Sequence, residues 1–203
     1  MRRLFSMILL LSIIGLHVIS PFTTDSWLWN SEKSIEMAVD NGGEWGSWGP
    51  AEMCPWGSYA RGFNLKVEES SPFSLDETSV NGIRLYCVSP DNVSNVVAVV
   101  QSKVSNWGEW TPVDWCRSGF LKAFRLRVES PQGIEDDSAA NNIMFRCSDG
   151  YELNGDGTDW GDWGSWSKTC QGKGICGIKT LVEGPQGIWD DTALNDAVMY
   201  CCD

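Results

Sequence analysis

The chain repeats one pattern of roughly sixty residues three times. The copies open with tryptophan pairs, at Trp45-Gly46-Ser47-Trp48, Trp107-Gly108-Glu109-Trp110 and Trp163-Gly164-Ser165-Trp166. They close on cysteines that lie eleven residues after the first acid of an Asp-rich triplet, namely Cys87, Cys147 and Cys201. A unit this short cannot bury a core of its own. The three copies must therefore pack around a pseudo-threefold axis or stack as an array.

Residues 1–24 read as a secretory signal peptide. Arg2 and Arg3 precede a short apolar run, which is too short to span a membrane and typical of a signal. No later stretch approaches spanning length, so the mature chain is expected to be exported without a membrane span. Cleavage takes the formal charge from -12 to -14, a balance that opposes nucleic-acid binding.

Cleavage also removes His17, the single histidine of the chain. A Ser-His-Asp or Cys-His catalytic arrangement and the usual imidazole zinc site are then excluded. All 8 cysteines remain, and an even number in a small exported chain indicates disulfides rather than metal ligands. The sequence predicts no cofactor and no metal.

Apolar residues alternate with polar ones in every repeat. Phe63, Leu65 and Val67 show this period of two, which is typical of a strand with one wet face. Leading strands are predicted from Ile35 to Val39 and from Val97 to Val104. With 21 Gly and 8 Pro as punctuation, the chain is expected to be all-β and antiparallel, with four short strands per repeat.

The repeat motifs resemble those of the vitelline membrane outer layer protein family from about Ile35 to the end. The resemblance rests on the Trp-Gly-x-Trp pairs, the Pro-Gln-Gly-Ile segments at 131–134 and 185–188, and the terminal Cys201-Cys202. It implies a β-prism of three four-stranded Greek-key sheets in a single domain over 25–203, with repeats at about 33–89, 95–149 and 150–203. It also implies an extracellular protein. Thrombospondin type 1 modules share a Trp-x-x-Trp signature, but they need more cysteines per repeat.

Equivalence of the repeats predicts the disulfides. Each repeat is expected to close on itself, and the leftover pair lies in the third copy. The predicted bonds are Cys54–Cys87, Cys116–Cys147, Cys170–Cys201 and Cys176–Cys202.

The tryptophans have two interpretations. The first Trp of each pair is expected to fill the core of the prism. Trp56, Trp115 and Trp189 break the repeat and are better candidates for exposed contacts with sugar rings.

Carboxylates offer the one enzymatic possibility, since glycosyl transfer or hydrolysis uses two carboxyl groups. The candidates are the glutamates that end the alternating segments and the first acids of the Asp-rich triplets. The carboxyl groups of at least two of them would have to approach within about 5 to 10 Å of each other. The alternative is that the triplet acids hold turns. A calcium site is conceivable at Asp149, Asn154, Asp156 and Asp159, but their spacing matches no EF-hand loop and favours a Gly-rich turn. The catalytic candidates are Glu68, Glu129, Glu183, Asp76, Asp136 and Asp190.

Two functions remain open. The favoured one is a non-enzymatic structural or interaction protein of an extracellular coat or fluid, whose partners are matrix or coat proteins, basic ones included. The alternative is a protein that binds or transfers chito-oligosaccharides in an acidic cleft built from equivalent positions of all three repeats.

Asn92-Val93-Ser94 is the one N-glycosylation sequon of the chain and lies in the connector between the first two repeats. We expect Asn92 to carry a glycan after expression in a eukaryotic host. Mass spectrometry before and after glycosidase treatment checks this, and an unshifted mass would contradict it. Asn92→Gln should still be secreted.

Overall fold

All regular structure in the computed structural model is antiparallel strand within the residues it describes, 34–68, 79–129, 140–184 and 193–203. None of these residues forms a helix able to cross a bilayer. The predicted all-β class is confirmed. In chain order the strands are β1 (Ile35–Met37), β2 (Ser47–Trp48), β3 (Glu52–Met53), β4 (Tyr59–Val67), β5 (Val80–Ser89), β6 (Asn92–Val100), β7 (Glu109–Trp110), β8 (Asp114–Trp115), β9 (Leu121–Val128), β10 (Ala140–Cys147), β11 (Glu152–Asn154), β12 (Asp162–Trp163), β13 (Gly174–Val182) and β14 (Leu194–Cys202).

The strands form three Greek-key sheets. Sheet I has the order β6-β5-β4-β7, with β8 also paired to β4, and sheet II has the order β11-β10-β9-β12. Sheet III has the order β1-β14-β13-β2, with β3 also paired to β13. The four-stranded paths agree with the predicted β-prism, and two of the sheets add one very short strand.

The sheets are offset from the sequence repeats. Each sheet takes its two long central strands from one repeat and its edge strands from the next repeat along the chain. Sheet III completes the ring, because the start of the chain supplies its edges: Ile35 lies opposite Cys201, and Trp48 lies opposite Leu181. No repeat therefore completes a sheet alone.

The third repeat begins three residues earlier than the sequence suggests. Its opening pair is Trp160-Gly161-Asp162-Trp163, because β12 pairs with Val128 and Arg127 as β2 pairs with Val182 and Leu181. Gly161 has a φ of 75°, and the equivalent Gly46 and Gly108 have φ values of 103° and 80°. A Cβ at any of the three would collide with the backbone of the neighbouring central strand, so only glycine fits. Residues 160–166 contain two overlapping Trp-Gly-x-Trp motifs, and the sequence alone does not show which of them opens the third repeat.

The leading strand of the second repeat also differs from its prediction. β6 spans Asn92–Val100 rather than 97–104, because it starts directly after the turn that follows β5. Val104 lies beyond the strand and packs over Gly82.

One apolar core is shared by the three sheets. The inner faces of the central strands fill it, and β4, β9 and β13 contact one another. Phe63 and Phe145 meet with ring centroids 4.6 Å apart, and Phe124 lies 6.2 Å from Phe145. All three rings are fully buried, and they join sheets I and II.

The prediction that the first Trp of each pair fills this core is wrong. Trp45, Trp107 and Trp160 are 57%, 46% and 58% exposed. Each stands before its positive-φ glycine and therefore outside the two-residue strand that pairs with the sheet. Trp163, assigned to this position from the sequence, is the second Trp of its pair and is half-buried.

Four disulfides are present, and their pairs are those that the repeat equivalence gives: Cys54–Cys87, Cys116–Cys147, Cys170–Cys201 and Cys176–Cys202. Because sheets and repeats are offset, the first three each join two different sheets. The Cys54 amide donates a hydrogen bond to the Cys176 carbonyl, which holds Cys54 to sheet III, whereas its disulfide partner Cys87 lies in sheet I. The Cys116 amide is hydrogen-bonded to sheet I, and its disulfide partner Cys147 lies in sheet II. The Cys170 amide is hydrogen-bonded to sheet II, and its disulfide partner Cys201 lies in sheet III. Cys176–Cys202 lies within sheet III.

Removing Cys116–Cys147 by a double Ala substitution should cost about 3 to 4 kcal/mol of unfolding free energy in the chain-entropy model. It should also loosen the corner between sheets I and II, since no disulfide then joins them. Denaturant unfolding combined with amide hydrogen exchange measures both effects.

The matched control is removal of Cys176–Cys202, which spans 26 residues against 31 and so carries a similar entropy. It should leave exchange in β8 and β10 unchanged. If both variants lost protection from amide hydrogen exchange equally at that corner, the placement of Cys116–Cys147 between two sheets would not matter.

Candidate functional site

A cavity of about 480 Å³ opens between sheets II and III. One wall is the 41–45 segment that links β1 to β2, and the other is the end of β9 together with β12 and the residue after it. Its lining includes Glu44, Trp45, Glu129, Asp162 and Trp163. All three repeats contribute to it.

The 41–45 segment is held by backbone contacts on both sides. The Asn41 side-chain amide donates to the Leu126 carbonyl at 3.1 Å, and the Gly164 amide donates to the same oxygen at 2.9 Å. On the other side the Gly43 amide donates to the carbonyl of Asn195 at 2.8 Å. The wall that carries Glu44 and Trp45 is therefore seated on two sheets at once.

The last of these bonds is repeated at all three corners of the prism. Ser105 donates to Asn81 and Thr158 donates to Asn141, each at 2.8 Å. The asparagines at these three positions are buried. The asparagines that follow the acidic triplets in the sequence thus mark where each leading segment joins its sheet.

The corners differ in the residue that reaches across to the next sheet. At the corner between sheets I and III, Lys103 occupies the place of Asn41. Its ammonium donates to the Val182 carbonyl at 2.8 Å and to the Ser47 hydroxyl at 2.6 Å. A long cation fills that corner, whereas the short Asn41 leaves space beside Glu129.

At the corner between sheets I and II the corresponding residue is Asp156. Burial, and then the negative charge of Asp156, raise the pKa of Asp114. Three corners of one fold therefore carry a lysine, an asparagine and an aspartate, so equivalent backbone positions have different chemistry.

The cavity combines negative charge with aromatic surface. Among the residues that the structure describes, the acidic ones in its lining are Glu44, Glu129 and Asp162, and no Lys or Arg lines it. Trp45 is largely exposed at its rim, and the half-buried Trp163 forms part of its wall. Such a site can hydrogen-bond hydroxyl or amide groups, stack on a sugar face, or attract a cationic group.

Asp196 lies directly beneath the cavity wall. Its carboxyl packs directly against Gly42, so a side chain at position 42 would have to displace it, and it accepts a hydrogen bond from the Ala197 amide at 2.7 Å. Burial raises the pKa of Asp196 to about 6, against the opposing effects of that hydrogen bond and of Lys179. In sheet II the equivalent residue is Asn142, which accepts the same bond from Ile143 at 2.8 Å.

The six catalytic candidates are not brought together in this cavity. Glu68, Glu129 and Glu183 directly follow β4, β9 and β13, and all three are half-buried. Glu129 lines the cavity, whereas the other two glutamates do not. Asp76, Asp136 and Asp190 lie outside the described residues. The approach of two candidate carboxyls within reacting distance stays a prediction.

The cavity is also not the symmetric cleft that the sequence suggests, because its three acids hold non-equivalent places in the repeats. Sequence reasoning missed Glu44 and Asp162. Glu44 corresponds to Asn106 and Asp159, and Asp162 to Ser47 and Glu109, so neither belongs to a threefold set of like residues. Their one signal was adjacency to the tryptophan motif.

Other candidates lie elsewhere. Trp56 and Trp115 are 78% and 39% exposed, and Trp189 lies outside the described residues. Asn92 is exposed, but it lies at the start of β6 opposite Ser89 and not in a connector outside the sheets, because β6 begins directly after the turn that follows β5.

The calcium candidates Asp149 and Asp159 make separate contacts. Asp149 accepts a bond from the Tyr151 amide in a turn, at 3.0 Å, and Asp159 pairs with Arg127 at 2.7 Å. Among the described residues no three His, Cys, Asp or Glu side chains are grouped to hold a metal.

Comparison with known proteins identifies the chain's relatives. A sequence model of "Vitelline membrane outer layer protein I" matches residues 35–203. The chain is 50% identical over 167 residues to the human vitelline membrane outer layer protein 1 homolog, covering 82% of each, and 48% identical over 165 residues to the mouse homolog, covering 81% of each.

Solved structures share the fold at low identity. Single-chain recombinant jacalin has a TM-score of 0.53 at 12% identity, covering 84% of this chain and 95% of the other. Calystegia sepium agglutinin has a TM-score of 0.52 at 9% identity, covering 82% and 95%. These likenesses show the jacalin-like β-prism fold alone.

Asp196→Asn should stabilise the protein at neutral pH. The pKa of Asp196 is higher in the folded than in the unfolded state, so its ionisation penalises the folded state as pH rises from 3.8 to about 6, and the penalty persists above that. Because the group is partly exposed, we expect a gain of about 1 to 2 kcal/mol at pH 7 and none near pH 3.

Chemical unfolding of both proteins between pH 3 and 8 measures this difference. Asp91→Asn, at an exposed position, is the control and should change nothing. A gain that is the same at every pH would show that the carboxyl does not titrate as described.

Proposed function

The chain belongs to the vitelline membrane outer layer protein I family, and from that premise we propose a secreted, non-enzymatic structural and interaction protein of an extracellular coat or fluid. The mature chain follows removal of residues 1–24. The observation that carries the proposal is the placement of three disulfides, each tying one sheet of the ring to the next. A domain locked in this way resists unfolding and proteolysis outside the cell, where disulfides persist.

The acidic charge of the mature chain supports basic partners. Extracellular coats present basic proteins, and an acidic surface attracts them over a range set by ionic strength. The cavity adds a concave acidic place for one of their side chains. Matrix or coat proteins of this kind are the partners that we propose.

A test of this role starts from the full-length chain expressed in animal cells. The protein should appear in the medium without its first 24 residues or so, and with all eight cysteines oxidised. Its resistance to a protease at 37 °C should collapse after reduction. Retention inside the cells, or equal resistance of the oxidised and reduced forms, would contradict the proposal.

Carbohydrate binding is the second candidate, and the cavity favours it. Trp45 and Trp163 offer indole faces beside Glu44, Glu129 and Asp162, the usual mixture of stacking and hydrogen-bonding groups at a sugar site. Chito-oligosaccharides are the ligand class that we propose for it. Artocarpin has been solved as a mannotriose complex on the same fold, at 12% identity and a TM-score of 0.50.

Glu129→Gln should weaken binding of a chito-oligosaccharide by about ten- to a hundredfold, since a charged hydrogen-bond partner in a site contributes about 1.5 to 3 kcal/mol. Thermal unfolding should hardly change. Glu68→Gln and Glu183→Gln are matched controls at equivalent positions outside the cavity. A glycan array on the mature protein, followed by calorimetry, measures the effect.

If all three variants lost affinity equally, the oligosaccharide would bind at the three equivalent glutamates and not in the cavity. No binding by the wild type would leave the structural role as the single proposal. Incubation of the same oligosaccharides with the protein, followed by mass spectrometry for longer or shorter products, tests glycosyl transfer directly.

A further inference from the structure

The outer face of sheet II carries a continuous ladder of arginine and tryptophan side chains. The Arg127 guanidinium lies 5.9 Å from the Trp163 ring centre, and that of Arg125 lies 5.0 Å from Trp163 and 4.9 Å from Trp166. Arg146 continues the series at 4.1 Å from Trp166. Three arginines and two indoles thus alternate across β12, β9 and β10.

The other two sheets have much smaller versions of this arrangement. Sheet I stacks Arg84 over Trp110 at 3.7 Å, and sheet III stacks Lys179 over Trp48 at 4.9 Å. A single cation on a single ring is an ordinary surface packing arrangement. The threefold fold does not require the extended ladder, so sheet II differs through its own side chains.

Carboxylates cap the two ends of the ladder and leave its middle cationic. Asp159 pairs with Arg127 at 2.7 Å, and Glu152 pairs with Arg146 at 2.8 Å. Among the described residues Arg125 has no carboxylate partner. Its Nη2 donates to the sulfur of Met144 at 3.3 Å, and its Nε is buried without an acceptor.

The middle of the ladder therefore lacks an anion. A guanidinium between two indoles has lost part of its hydration, and a thioether is a weak acceptor. A sulfate or carboxylate brought to this place would make a charge-assisted hydrogen bond to Arg125 in a partly dehydrated setting. The indoles of Trp163 and Trp166 would stack on sugar rings beside it.

We propose that this face of sheet II binds an anionic oligosaccharide, with Arg125 at the centre of the site, Arg146 as a second anion contact and Trp166 as a stacking surface. The ladder crosses three strands, about 10 Å at the usual strand spacing, which suits a short chain of sugars. The site borders the acidic cavity, because Trp163 belongs to both, and its ligand has the opposite charge from the basic partners proposed above.

The probe is a heparin-derived hexasaccharide titrated by calorimetry into the oxidised mature protein at low salt. Arg125→Gln should weaken binding about tenfold or more, because it removes the charge from the middle of the ladder. Arg125→Lys should recover part of the affinity, since the ammonium keeps the charge but not the planar stacking. Wild-type affinity should fall as sodium chloride is raised.

Arg84→Gln is the matched control, because Arg84 also stacks on a tryptophan, but on sheet I. It should bind the hexasaccharide like the wild type. Far-UV circular dichroism and the unfolding midpoint of each variant identify any that fail to fold. If an Arg125 variant fails to fold, Arg146→Gln tests the same site, and it should also weaken binding of the hexasaccharide.

Absence of hexasaccharide binding by the wild type would overturn the proposal. So would equal weakening by Arg84→Gln, or binding of a poly-glutamate peptide in preference to the sugar. A hexasaccharide stripped of sulfate but retaining its carboxylates distinguishes the two anions: lost binding assigns the contact to sulfate, and retained binding assigns it to carboxylate. Either result supports an anionic oligosaccharide.

Discussion

Pairing between the tryptophan strand of one repeat and the central strand of the repeat before it is the interaction on which this prism depends. Two residues such as Glu109 and Trp110 make few bonds, yet they place a whole repeat against its neighbour. The glycine before each such strand, Gly46, Gly108 or Gly161, permits the close approach. Since the last pairing joins residues near both termini of the described chain, the three sheets form a closed ring.

The disulfides stabilise the prism because each repeat contributes strands to two sheets. A bond within one sequence repeat becomes a bond between two sheets, because the repeat contributes to both. Three such bonds hold three corners, and the core of Phe63, Phe124 and Phe145 lies inside them. Stability therefore rests on the corners, and the residues that differ among corners are free to vary in chemistry. Lys103 fills one corner, Asn41 leaves a cavity at another, and Asp156 adds negative charge at the third.

Much of the fold could be predicted from the sequence, since it rests on periodicity and repetition. Alternation such as Phe63, Leu65 and Val67 identified the central strands, and the spacing of cysteines identified their pairing. Two features could not be read in that way. The overlapping tryptophan motifs of the third repeat differ only in which glycine takes a positive φ, and that is decided by contact with Val128. The exposure of Trp45 follows from its place before the strand, whereas bulk and apolarity alone suggested burial.

The candidate sites were harder to predict because they depend on departures from symmetry. Repeat reasoning favoured three equivalent glutamates, but the cavity joins Glu129 to Glu44 and Asp162, neither of which has an acidic counterpart in both of the other repeats. The arginine ladder arises in the same way, from side chains that one sheet has and the others lack. The exchange of strands brings these residues together, and its most direct test is nuclear Overhauser spectroscopy on the oxidised protein. Cross-strand contacts should join Trp48 to Leu181 and Trp110 to Lys66, whereas contacts of Trp48 with Lys66 of its own repeat would contradict the exchanged ring.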